Sequence, residues 1–74
     1  MINNRDKEVL KAFGAHLRSI RESKSISQQH LALKADISKN QIGNIERGEV
    51  NSTVISITAI AKALDIHPKE LFNF

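Results

Sequence analysis

Residues 27–48, SQQHLALKADISKNQIGNIERG, decide the fold. Ser27 and Ser38 each stand directly before a run with helical apolar spacing. At that place a serine oxygen accepts from a free backbone N–H of the first turn. An apolar pair brackets each start, Ile26 with Leu31 and Ile37 with Ile42, as in a hydrophobic staple. Gln41, three residues after Ser38, completes the pattern of a capping box. The first of these helices is expected to end near Ala35. The second ends at Gly48, where a left-handed residue without a Cβ closes a helix at least cost. Only Asp36-Ile37-Ser38 separate the two. So short a connection does not let helices lie antiparallel, and it imposes the steep crossing of a helix-turn-helix, placed at about 28–47. Small side chains belong at such a crossing, and Ala32 and Ala35 supply them. Asp36 falls where a positive φ is needed, and aspartate tolerates one.

Working outward, a first helix is predicted over about 6–24. Leu10, Phe13, Leu17 and Ile20 recur at spacings of three and four and form its apolar stripe, with Lys11, Arg18, Arg21 and Glu22 off it. Past the polar turn at 49–52, Thr53 can cap a fourth helix. Its inward stripe is Val54, Ile57, Ile60, Ala61 and Leu64. A fifth helix is predicted from Pro68, a residue favoured at the first helical position. Ile66 and Leu71 staple it around His67. Strand signals are weak, so the expected class is all-α, with five helices in a single domain spanning 1–74.

At 74 residues the chain is short for a self-sufficient core, and a partner is expected to add stability. It has no cysteine, which removes disulfides and thiolate metal sites. His16, His30 and His67 are scattered, with no carboxylate at ligand spacing, so no metal and no cofactor are expected. There is no nucleophile–base pair and no glycine-rich phosphate loop, and an enzyme is the least expected class. No apolar run reaches membrane-span length. The start of the chain lacks the apolar core of a signal peptide. A soluble, cytoplasmic protein is therefore expected. The net charge of +3 is uneven. Residues 1–47 hold nine Lys/Arg against five Asp/Glu, whereas residues 48–74 hold two against three. A basic half next to a near-neutral one suggests an anionic partner on one side.

From Gln28 to Arg47 the chain resembles the helix-turn-helix of the phage repressor and Cro, or XRE-like, family. Gln28, Leu31, Ala32, Ala35, Ile37, Ile42, Ile45 and Glu46 carry the likeness. It continues through Ile57, the run Ile60-Ala61-Lys62-Ala63-Leu64, and Leu71-Phe72, covering about 13–73. Asp36 stands where the family usually has glycine, and His30 where it usually has glutamate. Leu33 and Ile55 replace polar residues.

The resemblance implies a transcriptional regulator, a repressor in the first instance, that binds double-stranded DNA with its third helix in the major groove. Lys39, Asn40, Gln41 and Asn44 are then the base contacts. Asparagine suits adenine N6 and N7, and lysine suits guanine O6 and N7. Ser27, Gln28, Ser38 and Arg47 are the phosphate contacts, which set register without reading sequence. Arg21 and Glu46 match a pair that bridges the first and third helices. A homodimer is expected as well, because Val50, Ile55, Phe72 and Phe74, apolar residues not needed for the inward stripes, gather late in the chain where net charge is lowest, and the resemblance agrees. Domains of this kind also serve as antitoxins holding a toxin protein, or as controller proteins of restriction systems. Both are kept as alternatives, as is a protein-interaction module that binds no DNA.

Overall fold

The computed structural model describes residues 3–74; Met1 and Ile2, the first of the residues read above against a signal peptide, lie outside the described residues. Four α-helices follow in order, α1 (Asn4–Ser23), α2 (Gln28–Ala35), α3 (Lys39–Glu46) and α4 (Val54–Ala63), then a 3-10 turn (Pro68–Phe72). The fifth helix expected from Pro68 is therefore a single short stretch of the tighter helix. Its five residues give little room for the longer hydrogen bonds of an α-helix. No strand occurs among the described residues.

The helices α2, α3 and α4 begin with the caps their sequence indicates. Ser27 Oγ accepts from the His30 amide at 3.0 Å and Ser38 Oγ from the Gln41 amide at 3.0 Å. Thr53 Oγ1 accepts from the Ser56 amide at 3.1 Å. α1 starts earlier than spacing indicates, because Asn3 caps it through the Asp6 amide at 2.8 Å. The capping box expected at Ser38 is only half formed, since the Gln41 side chain turns away to Ser56 Oγ at 3.3 Å. A complete box stands instead at the 3-10 turn. There the Glu70 carboxylate accepts from the His67 amide, while His67 Nδ1 accepts from the Lys69 amide.

All four helices stop by one device. Ser25, Asp36, Gly48 and Asp65 each hold a positive φ, between 56° and 74°. The amide after each then reaches back to a carbonyl in the last turn, as Ile37 does to Ala32 at 3.0 Å and Ile66 to Ala61 at 3.0 Å. This pairing satisfies carbonyls that a helix end leaves free. The residues following Ser25, Asp36 and Asp65 are Ile26, Ile37 and Ile66. Each of these isoleucines is half-buried against the core.

The core is one cluster, with Leu17, Leu31, Ile42, Ile45, Ile60, Leu64 and Leu71 essentially sealed from solvent. Burial of a side chain of this size contributes about 1.5–3 kcal/mol before ordering costs. α2 packs on both α3 and α4, while α1 packs on α3 and the 3-10 turn. Ala32 and Ala35 are buried, as the tight turn requires. Val54 departs from the expected inward stripe and is 78% exposed. It lies in the first turn of α4, beyond the edge of the core that Ile60, Ala61 and Leu64 cover.

Candidate nucleic-acid interface

α3 is held from behind by a buried ionic clamp. Arg21, on α1, donates to Glu46 through Nε at 2.6 Å and through Nη2 at 3.0 Å. A third donation, from Nη1, goes to the Ile26 carbonyl at 2.8 Å. Gln28, on α2, donates from Nε2 to the same Glu46 carboxylate at 3.0 Å. One carboxylate at the end of α3 thus ties three helices together. Arg21, which spacing puts off the apolar stripe, is buried with Glu46. The bond to Glu46 raises the Arg21 pKa further above the ordinary arginine range. On the arginine side, the stability it contributes is fully present below the ordinary arginine range and is lost only as pH rises through that raised value.

With Ile42, Ile45 and Glu46 turned inward, α3 leaves a polar face outside. Lys39, Asn40 and Arg47 are exposed, and Gln41 and Asn44 are half-buried. Lys39 and Asn40 occupy the first turn, where free backbone N–H groups and the helix dipole favour an anion. Of the four base-contact candidates, Gln41 leans aside toward Ser56 on α4. Asn44 holds Arg47, whose Nη2 donates to Asn44 Oδ1 at 2.6 Å. Among the phosphate candidates, Ser27 and Ser38 spend their oxygens on caps and keep their hydroxyl hydrogens free to donate. Gln28 spends one amide hydrogen on Glu46 and keeps the other.

The candidate interface residues fall in different settings. Ile55 is 80% exposed and stands beside the exposed Val54, so the two form an apolar pair at the start of α4. Val50 is half-buried against the core. Phe72 and Phe74 are each 54% exposed. Their rings lean on Phe13, with centroids 5.3 and 6.1 Å from it. Leu33 is 74% exposed on α2.

Two features have no strong signal in the sequence. One is the set of partners that Gln28 and Asn44 take. The other is Gly14, buried on α1 where that helix crosses the end of α3. A Cβ there would fall on the Ile45 carbonyl oxygen and 2.6 Å from that of Glu46.

Two short helices crossing at a three-residue turn, with the second presenting a free polar face from a locked back, define a helix-turn-helix regulator. The family model described as helix-turn-helix, HTH_3, matches residues 17–71, and the chain belongs to that family. Control protein C.BamHI of Bacillus amyloliquefaciens is 44% identical over 63 residues, spanning 84% of this chain and 78% of that protein. The immunity repressor protein of Bacillus phage phi105 is 34% identical over 53 residues, spanning 72% of this chain and 37% of the repressor. The crystal structure of the restriction-modification controller protein C.AhdI from Aeromonas hydrophila aligns with a TM-score of 0.83 at 40% identity. That alignment covers 88% of this chain and 97% of C.AhdI. The chain is a DNA-binding transcriptional regulator of the XRE type and not an enzyme. Among the described residues, no helix is long and apolar enough to cross a membrane.

Proposed function

We propose that this chain is a controller-type regulator that binds double-stranded DNA as a homodimer and reads it with α3. The open outer face of α3, backed by the buried Arg21–Glu46–Gln28 clamp, carries this reading. A base-reading helix must hold its donors at fixed positions, and the clamp fixes the tilt from which Lys39, Asn40 and Asn44 project. The free hydrogens of Ser27, Gln28 and Ser38 lie at the N-termini of α2 and α3, where they suit phosphate oxygens. The controller role is supported by likeness to two controller proteins along most of their length. The chain spans 97% of C.AhdI and 78% of C.BamHI, against 37% of the phage repressor. An antitoxin would place a toxin on the exposed Leu33 or on the start of α1.

Selection from random duplexes tests the base-reading set. Lys39→Ala and Asn40→Ala are expected to change the preferred sequence, at about 1–3 kcal/mol for each bidentate pairing with a base that is removed. Gln28→Ala is expected to weaken all duplexes alike. Affinity should fall steeply with salt, with roughly four to eight phosphate contacts per dimer and a slope of about 0.9 for each. A flat salt response, or no retardation of any duplex at low salt, would remove DNA binding from this reading.

Two recognition helices related by a two-fold axis would reach half-sites about 34 Å apart, one turn of DNA. In the proposed dimer the exposed Val54–Ile55 pair lies at the axis, a self-complementary place for apolar surface. Sedimentation at tens of micromolar is expected to show a dimer for the wild type and a monomer for Ile55→Glu. Phe74→Glu is expected to weaken the dimer less, because that ring already leans on Phe13. A wild-type monomer that binds a half-site as tightly as a palindrome would exclude the dimer.

A further inference from the structure

The outer face of α3 carries one more side chain than the base-contact set. Arg47 follows the last residue of α3 as its C-cap. Helical side chains lean toward the N-terminus of their helix, and the Arg47 guanidinium lies back over the preceding turn. There it donates to Asn44 Oδ1 at 2.6 Å, and its Nε stands 3.2 Å from Glu49 Oε2. The group occupies the space above Gly43. A methyl group on Gly43 would stand 3.0 Å from Arg47 Nη1, and its three nearest neighbours would all be atoms of the same guanidinium. Gly43 is thus the seat on which Arg47 rests along the helix.

We propose that Arg47 is a base-reading residue for guanine rather than a phosphate contact, with Asn44 as its positioning residue. This inference rests on α3 being the recognition helix. Placement is the first reason. Asn40, Asn44 and Arg47 succeed one another at spacings of four and three, so they share one stripe of the helix. A guanidinium laid along that stripe faces the groove floor, whereas a phosphate contact would extend sideways to the groove rim. Chemistry is the second reason. Asn44 and Glu49 engage Nη2 and Nε. Both hydrogens on Nη1 and one on Nη2 remain, enough for a bidentate fork onto guanine O6 and N7.

The same contact fixes how Asn44 can read. Arginine only donates, so the atom Asn44 turns toward it is the carbonyl oxygen. Oδ1 keeps its second lone pair and Nδ2 keeps both donors. The bidentate adenine contact expected of it needs both a donor and an acceptor. Asn44 therefore retains both, with its amide orientation set beside the guanine taken by Arg47. Glu49 steadies the arginine without sealing it, since both side chains of that pair are more than half exposed.

The test is selection from random duplexes with the wild type and with Arg47→Ala, followed by affinity measurements on the selected site. The wild type is expected to enrich guanine at one position of each half-site. Arg47→Ala should lose that preference by roughly 5- to 150-fold and keep its preferences at the positions read by Lys39 and Asn40. Placing 7-deazaguanine at the selected position removes the N7 acceptor. It should weaken the wild type and leave Arg47→Ala unaffected. An Arg47→Ala protein that keeps the guanine preference, or that loses affinity evenly for all duplexes with a salt slope shallower by about 0.9, would return Arg47 to the phosphates. A wild type that enriches no sequence at all would overturn the recognition-helix reading, and this one with it. Arg47 is exposed, so a thermal melt matching the wild type confirms that the variant is folded.

Discussion

Alanine in place of Gly14 is expected to lower the thermal midpoint by roughly 8–16 °C, even though alanine is the better helix former. Two effects oppose each other. In the middle of a helix, exchanging glycine for alanine contributes about 0.5–1 kcal/mol of stability. Against this, the new methyl would collide with the Ile45 carbonyl oxygen and stand 2.6 Å from that of Glu46. These are backbone atoms and cannot rotate aside as a side-chain tip would. α1 and α3 must move apart, which opens the packing around Leu17 and Ile45 and disturbs the bond from Arg21 to Glu46. Overpacking of a tight core costs about 1–3 kcal/mol, occasionally more. A contact this close belongs at the upper end, leaving a net loss of about 2 kcal/mol. In a domain of this size each kcal/mol shifts the midpoint by about 4–8 °C. Circular dichroism melts of the two proteins decide it. An unchanged or raised midpoint would mean that α1 and α3 separate without cost.

The second large effect is expected at the clamp. Arg21→Ala should cost about 3–5 kcal/mol, because it strands a buried carboxylate with Gln28 as its remaining side-chain partner. A loss of that size approaches the whole stability of a small domain. Glu46→Ala strands the arginine instead, which keeps its bond to the Ile26 carbonyl and so should lose less. Replacing both partners with apolar residues of similar volume, Arg21→Met with Glu46→Leu, is expected to be less damaging than Arg21→Ala alone. No charge is then left buried without its counterpart. Urea unfolding of the wild type, the two alanine variants and the Arg21→Ala/Glu46→Ala double variant closes the cycle. Additive losses would show that the two residues do not interact. Fluorescence-detected binding of the apolar double variant to the selected site should still show weakened specificity, because the tilt of α3 is no longer tied to α1.

Much of this architecture is legible in the chain itself. Cap residues and stops are local, and Ser27, Ser38, Thr53, Asp36 and Gly48 act where their positions indicate. Ser25 and Asp65 are harder to read as stops, because neither stands where the spacing alone demands a left-handed residue. The depth of the Arg21–Glu46 pair is also hidden. Spacing places Arg21 beside the apolar stripe, and only the crossing of α1 over α3 covers it. Val54 reads as inward because it continues the period of α4, yet the core ends a turn later. The outer face of α3 is legible as residue types. The partners of Gln28, Gln41 and Asn44 are not, because each depends on what a second helix, or the residue one turn away, brings into reach.

The way α1 is seated has a consequence for the order in which the chain folds. Its partners are α3 and the final turn, and His16 Nε2 lies 2.7 Å from the Glu70 carbonyl oxygen, near the other end of the chain. The α2–α3–α4 segment, by contrast, is assembled from neighbours in sequence. Short loops close at little entropic cost, whereas joining the two ends requires a long closure before any contact rewards it. The central helices are therefore expected to form the nucleus. Docking of α1 against the last turn is then expected to follow the rate-limiting step, so that losing the His16 bond should speed unfolding and leave the folding rate nearly unchanged.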